Sequence, residues 1–151
     1  MRKSLQSLLC GLALLLLVAG TTRAQTAADR EAIKQTALDY IEGYYEGNAA
    51  RMERSLHPDL AKRIVRTDPA TGKSKLDHMT APRLVQITQS RQGKPTPPEK
   101  QQKEVTILDV FENAASVKIV AGDWIDYLHV SKFDGRWVIV NVLWEMKPVK
   151  H

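Results

Sequence analysis

His57, Tyr40, Tyr44, Asp126, Tyr127, His129, Asn141 and Trp144 are the side chains of this sequence whose type and setting could do chemistry, because each stands in or beside an apolar run. Histidine titrates near neutrality, so His57 or His129 could serve as a general base once a partner positions it. Tyr40, Tyr44 and Tyr127 carry a hydroxyl on an apolar body, and Trp144 presents a flat face on which a planar ring could stack. With Val140 and Val142 beside them, Tyr127 and His129 would place donors and acceptors in an apolar wall, as small-ligand pockets do. Strand alternation sends Asp126 to the face opposite His129, so the two form no His–Asp pair on one strand. Asp126 and Asn141 are expected to share that second face. Each residue also has a plainer alternative: Tyr127 and Trp144 as core aromatics with satisfied polar ends, His57 as a helix-end residue favoured by the helix dipole.

Other chemistries find no footing. His57, His78 and His129 are scattered, no HExxH or facial carboxylate spacing occurs, and His151 is the last residue, so no metal site is expected. Glycine-rich phosphate loops and a GxSxG elbow are also missing, and no cofactor is expected. Lys62, Arg63 and Arg66 form a small basic cluster that reads as a solvated edge. No catalytic residue is assigned.

The first 24 residues have the make-up of a signal peptide: basic Met1-Arg2-Lys3, an apolar run from Leu8 to Val18, and the small residues Thr22 and Ala24 where a signal peptidase reads. The expected organisation is therefore a leader over 1–24 and one domain over 25–151, periplasmic or extracellular after cleavage. The 151 residues carry 22 Lys and Arg against 17 Asp and Glu, and three of the basic residues lie in the leader, which leaves a net charge of only +2. That balance argues against a nucleic-acid partner. The leader's apolar run is too short to cross a bilayer core of roughly 30 Å, and no later run approaches that length. Cys10, the only cysteine, leaves with the leader, and disulfides, thiolate metal sites and thiol catalysis leave with it.

Periodicity then supplies the elements that must hold the candidate residues. From Asp29 to Glu46, Ile33, Ala37, Tyr40, Ile41, Tyr44 and Tyr45 recur at helical spacing and predict a first helix with one apolar stripe. Gly47 suits a left-handed cap and Asn48 an N-cap for a second helix, Ala49 to Leu56, which Pro58 stops, with one further turn over Asp59 to Ala61. Ile64-Val65 and Leu76 flank a turn over Asp68 to Gly72, a weak hairpin. Thr80 and Pro82 open a third helix that runs to Gln89, and the proline-rich stretch from Gly93 to Gln102 reads as an exposed connection.

The last third predicts three long antiparallel strands. Asp134-Gly135 is a two-residue hairpin signal that, carried through without interruption, pairs His129 with Val140, Tyr127 with Val142 and Ile125 with Trp144 on one face, and Leu128 with Asn141 and Asp126 with Leu143 on the other. A loop at Asn113-Ala114 would pair Val110 with Val117 and Asp109 with Lys118. Gly122 would bend the middle strand.

Helices followed by a bent antiparallel sheet make an α+β cone with a hollow between sheet and helices. The stretches "LHPDLAKR" (Leu56 to Arg63), "VTILDV" (Val105 to Val110), "WIDYLHV" (Trp124 to Val130) and "DGRWVIVNVLWE" (Asp134 to Glu145), with Asp39 to Tyr45, resemble the putative lumazine-binding branch of the nuclear transport factor 2-like superfamily. The resemblance implies the cone fold, a small flat heterocyclic or apolar ligand, and sheets that pair back to back. Leu128, Val130, Ile139 and Leu143 are expected to form that outer face and so a homodimer. Ligand-binding residues are expected at Tyr40, Tyr44, His57, Tyr127, His129 and Trp144. Three functions stay open: a non-catalytic binding module, an isomerase, dehydratase or cyclase using a pocket histidine or tyrosine, and a structural dimer with a filled cone.

Overall fold

A computed structural model of the chain describes residues 27–148. By its contacts the chain divides into two units, Met1–Glu31 and Ala32–His151. The leader expected over 1–24 lies outside the described residues.

Helix α1 runs over 27–46 and buries Ile33, Ala37, Tyr40, Ile41 and Tyr45 of the predicted stripe, with Tyr44 partly buried. Gly47 ends it with φ +68°, and a Cβ there would stand 2.6 Å from the backbone carbonyl of Arg91, so both conformation and space require glycine. The Asn48 side chain accepts from the Arg51 N–H at 3.0 Å and opens α2, Ala49–Ser55. The two helices are clamped at their polar side by Asp39, which accepts from Arg51 Nε at 2.9 Å, Arg54 Nε at 2.8 Å and Gln35 Nε2 at 3.1 Å. Burial pushes the Asp39 carboxyl up, but these hydrogen bonds outweigh it and bring its pKa down to about 2.

The sheet has six strands in the order β2-β1-β6-β5-β4-β3, where β1 is Leu56–Thr67, β2 Ser74–Met79, β3 Lys103–Phe111, β4 Ala114–Ala121, β5 Trp124–Phe133 and β6 Arg136–Met146. All neighbours are antiparallel except β1 and β6, which are parallel. With α1, α2 and α3 (Ala81–Gln89) packed on this curved, open sheet, the expected α+β class holds. A short 3-10 turn, Pro98–Lys100, lies in the exposed connection ahead of β3.

Four expectations are corrected, each for a local reason. The stretch Asp59 to Ala61 is no helical turn: α2 ends at Ser55 and β1 begins at once, with Leu56, Leu60, Lys62 and Ile64 buried on one side. A lysine in the inward series hides the strand's period of two from a sequence-level reading. Gly122 does not bend one long strand; Gly122-Asp123 joins β4 to β5, which pair antiparallel from Ala114 with Ser131 to Val120 with Ile125. A Cβ at Gly122 would stand 2.8 Å from the carbonyl oxygen of Lys100, so close backbone approach explains this glycine.

The β3–β4 turn lies at Glu112-Asn113, with Glu112 at φ 47°, and Phe111 pairs with Ala114; Asp109 therefore meets Ser116 and not Lys118. The most consequential correction concerns β6. From Phe133 with Arg136 to Val130 with Ile139 the expected register holds, but His129 then pairs with Asn141, leaving Val140 as a bulge. Beyond it every β6 side chain changes face. Val142 and Trp144 turn inward beside Leu128 and Asp126, while Asn141 and Leu143 turn outward beside His129 and Tyr127. Independently of the bulge, the face of β5 that carries Asp126, Leu128 and Val130 is the one turned to the core, so Leu128, Val130 and Ile139, expected on an outer dimer face, are no more than 1% exposed, and of that set only Leu143 remains outside.

Candidate functional site

On the inner side of the sheet a cavity of about 380 Å³ lies between α1, α3 and strands β1, β2, β5 and β6. Tyr40, Tyr44, Trp124 and Trp144 supply aromatic wall; Met52, Met79, Leu84, Ile87 and Met146 supply aliphatic and thioether surface; Lys62, Arg66 and Asp123 are its charged members. Thr80 and Pro82 start α3, and its apolar side turns Leu84 and Ile87 to the cavity. Among the described residues every buried side-chain nitrogen or oxygen has a hydrogen-bond partner.

The polar centre is a trio drawn from three elements. Lys62 of β1 donates to Asp126 Oδ1 of β5 at 2.7 Å and to the Tyr40 hydroxyl of α1 at 2.7 Å, and Tyr40 donates to the same Oδ1 at 3.3 Å. Trp124 Nε1 donates to the other oxygen, Oδ2, at 2.7 Å. Asp126 is fully buried and the Lys62 side chain is 7% exposed. Burial pulls the Lys62 ammonium below the ordinary lysine range, opposed by the adjacent carboxylate; burial and that same carboxylate push the Tyr40 phenol well above its ordinary value. The Lys62 nitrogen also sits 4.7 Å from the ring centre of Trp144, and the Arg66 guanidinium 5.8 Å from the same ring, both within reach of a cation–π attraction.

Tyr44 and Trp124 meet edge to face at 5.4 Å and separate this cavity from a second, more polar hollow of about 550 Å³, bounded by Tyr45, Arg91, Thr96 and Gln102. There Arg91 is spent on the Tyr44 carbonyl at 3.1 Å and on Thr96 at 2.7 Å, while Tyr45 donates to the Gln102 carbonyl at 2.6 Å and accepts from the Gly122 N–H at 3.0 Å. Those bonds fasten the connection before β3 to the end of α1.

The six residues expected from the sequence divide evenly. Tyr40, Tyr44 and Trp144 line the cavity. Tyr127 and His129 lie on the outer face, Tyr127 45% exposed and His129 at 3.3 Å from Asn141, which in turn accepts from Arg63 at 3.1 Å. The expectation that they face the hollow is overturned because strand alternation puts Asp126 and Leu128 inside, and only one of the two sets can be there. His57 is in β1, not at a helix end; its Nδ1 accepts from the Asp59 N–H at 3.1 Å and its ring packs 4.5 Å from that of Phe133, away from the cavity. Sequence reasoning missed Lys62 as a cavity residue and placed Asp126 on one face with Asn141, whereas Asp126 lies inside and Asn141 outside. The available signal was Lys62 itself, an ionisable residue in step with Leu60 and Ile64 along a strand.

Residues 28–145 match the family described as "Putative lumazine-binding". The chain belongs to this family. Its fold is that of solved structures described as NTF2-like. It resembles an NTF2-like protein of unknown function from Shewanella baltica (TM-score 0.63, 19% identity, covering 82% of this chain and 97% of that one). It also resembles one from Silicibacter pomeroyi (0.61, 16%, 81% and 98%). A third, from Novosphingobium aromaticivorans, is NTF2-like with a cystatin-like fold (0.60, 13%, 89% and 92%). At these identities the likeness concerns fold alone. No curated protein matches the chain in sequence.

Proposed function

We propose that this protein binds a small, flat, largely apolar ligand in the cavity between α1, α3 and the sheet, and that it does so without catalysis. The observation that carries the proposal is an unfilled cavity of about 380 Å³ walled by four aromatic side chains over one buried lysine, the apolar-wall, few-polar-groups pattern of ligand sites. A cavity of that size speaks against the filled cone of a purely structural module. Against an isomerase or cyclase stands the wiring of the trio: Asp126 already accepts at both oxygens, the Tyr40 hydroxyl donates its hydrogen bond to Asp126, and an ammonium has no lone pair with which to take a proton from a substrate. The family description supports a heterocycle of the lumazine kind.

Lumazine, riboflavin and a steroid, each added to the purified protein, test the reading by melting temperature and by tryptophan fluorescence, since Trp124 and Trp144 line the cavity. At least one should raise the melting temperature and quench the emission, with the quenching lost in Trp124→Phe/Trp144→Phe. Three flat exposures with no shift and no quenching would remove the ligand-binding function.

Export is proposed from Met1 to Ala24 alone; N-terminal sequencing of the periplasmic or extracellular fraction should begin close after Ala24, and an uncut chain confined to the cytosol would refute it. Pairing of two copies now rests on Val65, Leu76, Tyr127 and Leu143, large apolar side chains that the outer face leaves between 45% and 58% exposed. Sedimentation giving only monomer at micromolar concentration would end it.

A further inference from the structure

We infer that the cavity takes its ligand as an oxyanion: a planar ring with an ionisable hydroxyl or imide on its buried edge, held at Lys62. This deepens the binding proposal above and rests on it. The inference comes from counting donors and acceptors. An ammonium has three N–H donors, and the described partners of Lys62, the Tyr40 hydroxyl and Asp126 Oδ1, take two. The Tyr40 hydrogen is committed to Asp126 Oδ1 and the Trp124 N–H to Asp126 Oδ2, and Asp126 is fully buried and does not line the cavity, whereas Lys62 does. In the depth of the cavity the unspent polar capacity is therefore that of a donor bearing positive charge, with the Asp126 charge shared by two neutral donors besides the lysine. A ligand that brought its own N–H or ammonium to that spot would face the Lys62 ammonium and not the Asp126 carboxylate, whereas a carbonyl gains one hydrogen bond and an enolate, phenolate or deprotonated imide gains a charge-assisted one.

The charged and titratable groups turned towards Lys62 are few. Helix α1 contributes Tyr40 and Tyr44, β5 contributes Asp126, and the β4–β5 connection contributes Asp123 at the cavity wall. From β1 itself comes Arg66, which lies over the Trp144 ring and is held by Asp77 at 3.0 Å. Helix α3 and strand β2 present Leu84, Ile87 and Met79, which carry no charge. A second positive charge, on a half-exposed side chain, thus lies near the same indole ring.

The test uses 4-nitrophenol, whose anion is coloured and which ionises near neutral pH, beside nitrobenzene, its neutral counterpart of nearly the same shape. Binding is followed by tryptophan quenching and the phenol's ionisation by its absorbance. The phenolate should bind the full-length protein about tenfold or more tightly than nitrobenzene, the order expected of one hydrogen bond to a charged group, and the bound phenol should ionise at lower pH than the free one. In Lys62→Met/Asp126→Asn, which removes the pair together so that neither charge is stranded, the preference should vanish while nitrobenzene still binds. Equal affinity for the two probes in the wild-type protein, with no change in the phenol's titration, overturns this inference and leaves the binding proposal standing. Failure of both probes to quench overturns both.

Discussion

The two faces of the sheet carry nearly the same chemistry within a few residues of each other, and they behave as different materials. On the inner face Lys62, Asp126 and Tyr40 form a closed trio with Asp126 fully buried; on the outer face Arg63, Asn141 and His129 form an open chain of hydrogen bonds in contact with water. The outer group sits where screening and side-chain entropy erase most of the gain from any polar pair. The inner group sits where each charge must be matched because water cannot match it. Residue type therefore says little about function here until the face is known, and the face of every β6 residue beyond Ile139 is set by the bulge at Val140.

Inserting one alanine after Asn141 is the harshest way to break the contrast. Carried through the rest of β6, the extra residue would swing Val142 and Trp144 out and bring Leu143 into the core, at a cost on the order of 5 kcal/mol or more, so urea unfolding should find no cooperative native state. Next in size, Lys62→Met strands the buried Asp126 carboxylate and should cost about 3–5 kcal/mol in the same measurement, while Arg63→Met, one residue along and on the other face, should change stability by about 0.5 kcal/mol or less. Equal effects of the two substitutions would show that burial does not separate the faces.

A third polar cluster supplies an intermediate case. The folded pKa of Asp39, about 2, lies below its ordinary value of 3.8, so its contribution is complete above pH 3.8 and is lost as pH falls towards 2. That difference corresponds to about 2 kcal/mol, and Asp39→Asn should lose about that much at neutral pH yet converge with the wild type near pH 2. A gap between the two proteins that stayed constant with pH would assign the clamp to packing and not to charge. The smallest effect sharpens the comparison for ligands: Trp144→Ala should weaken whichever compound binds by about tenfold, the scale of one aromatic contact, while Tyr127→Ala on the outer face should leave affinity unchanged by fluorescence titration. The reverse ranking would move the ligand site to the outer face.

Much of the framework was legible from local chemistry. Helix α1, the Gly47 and Asn48 corner, the start of α3 at Thr80-Ala81-Pro82 and the Asp134-Gly135 turn all follow from periodicity or from the few residues able to cap or turn a chain. The register near that turn held for the first four pairs and failed where an extra residue entered the ladder. Of the site, Tyr40 and Tyr44 could be placed because a helical stripe has one buried side; Lys62 could not, because a buried lysine looks like a solvated one until its partner is known.

By itself, then, the sequence determined which segments are helical, where the chain turns and which family it belongs to, since those depend on neighbours within a few positions along the chain. Only the tertiary structure decided which face of the sheet is inside. A period of two is satisfied equally well by either face, one bulge reverses the choice, and the carboxylate that allows Lys62 to be buried comes from a strand 64 residues away.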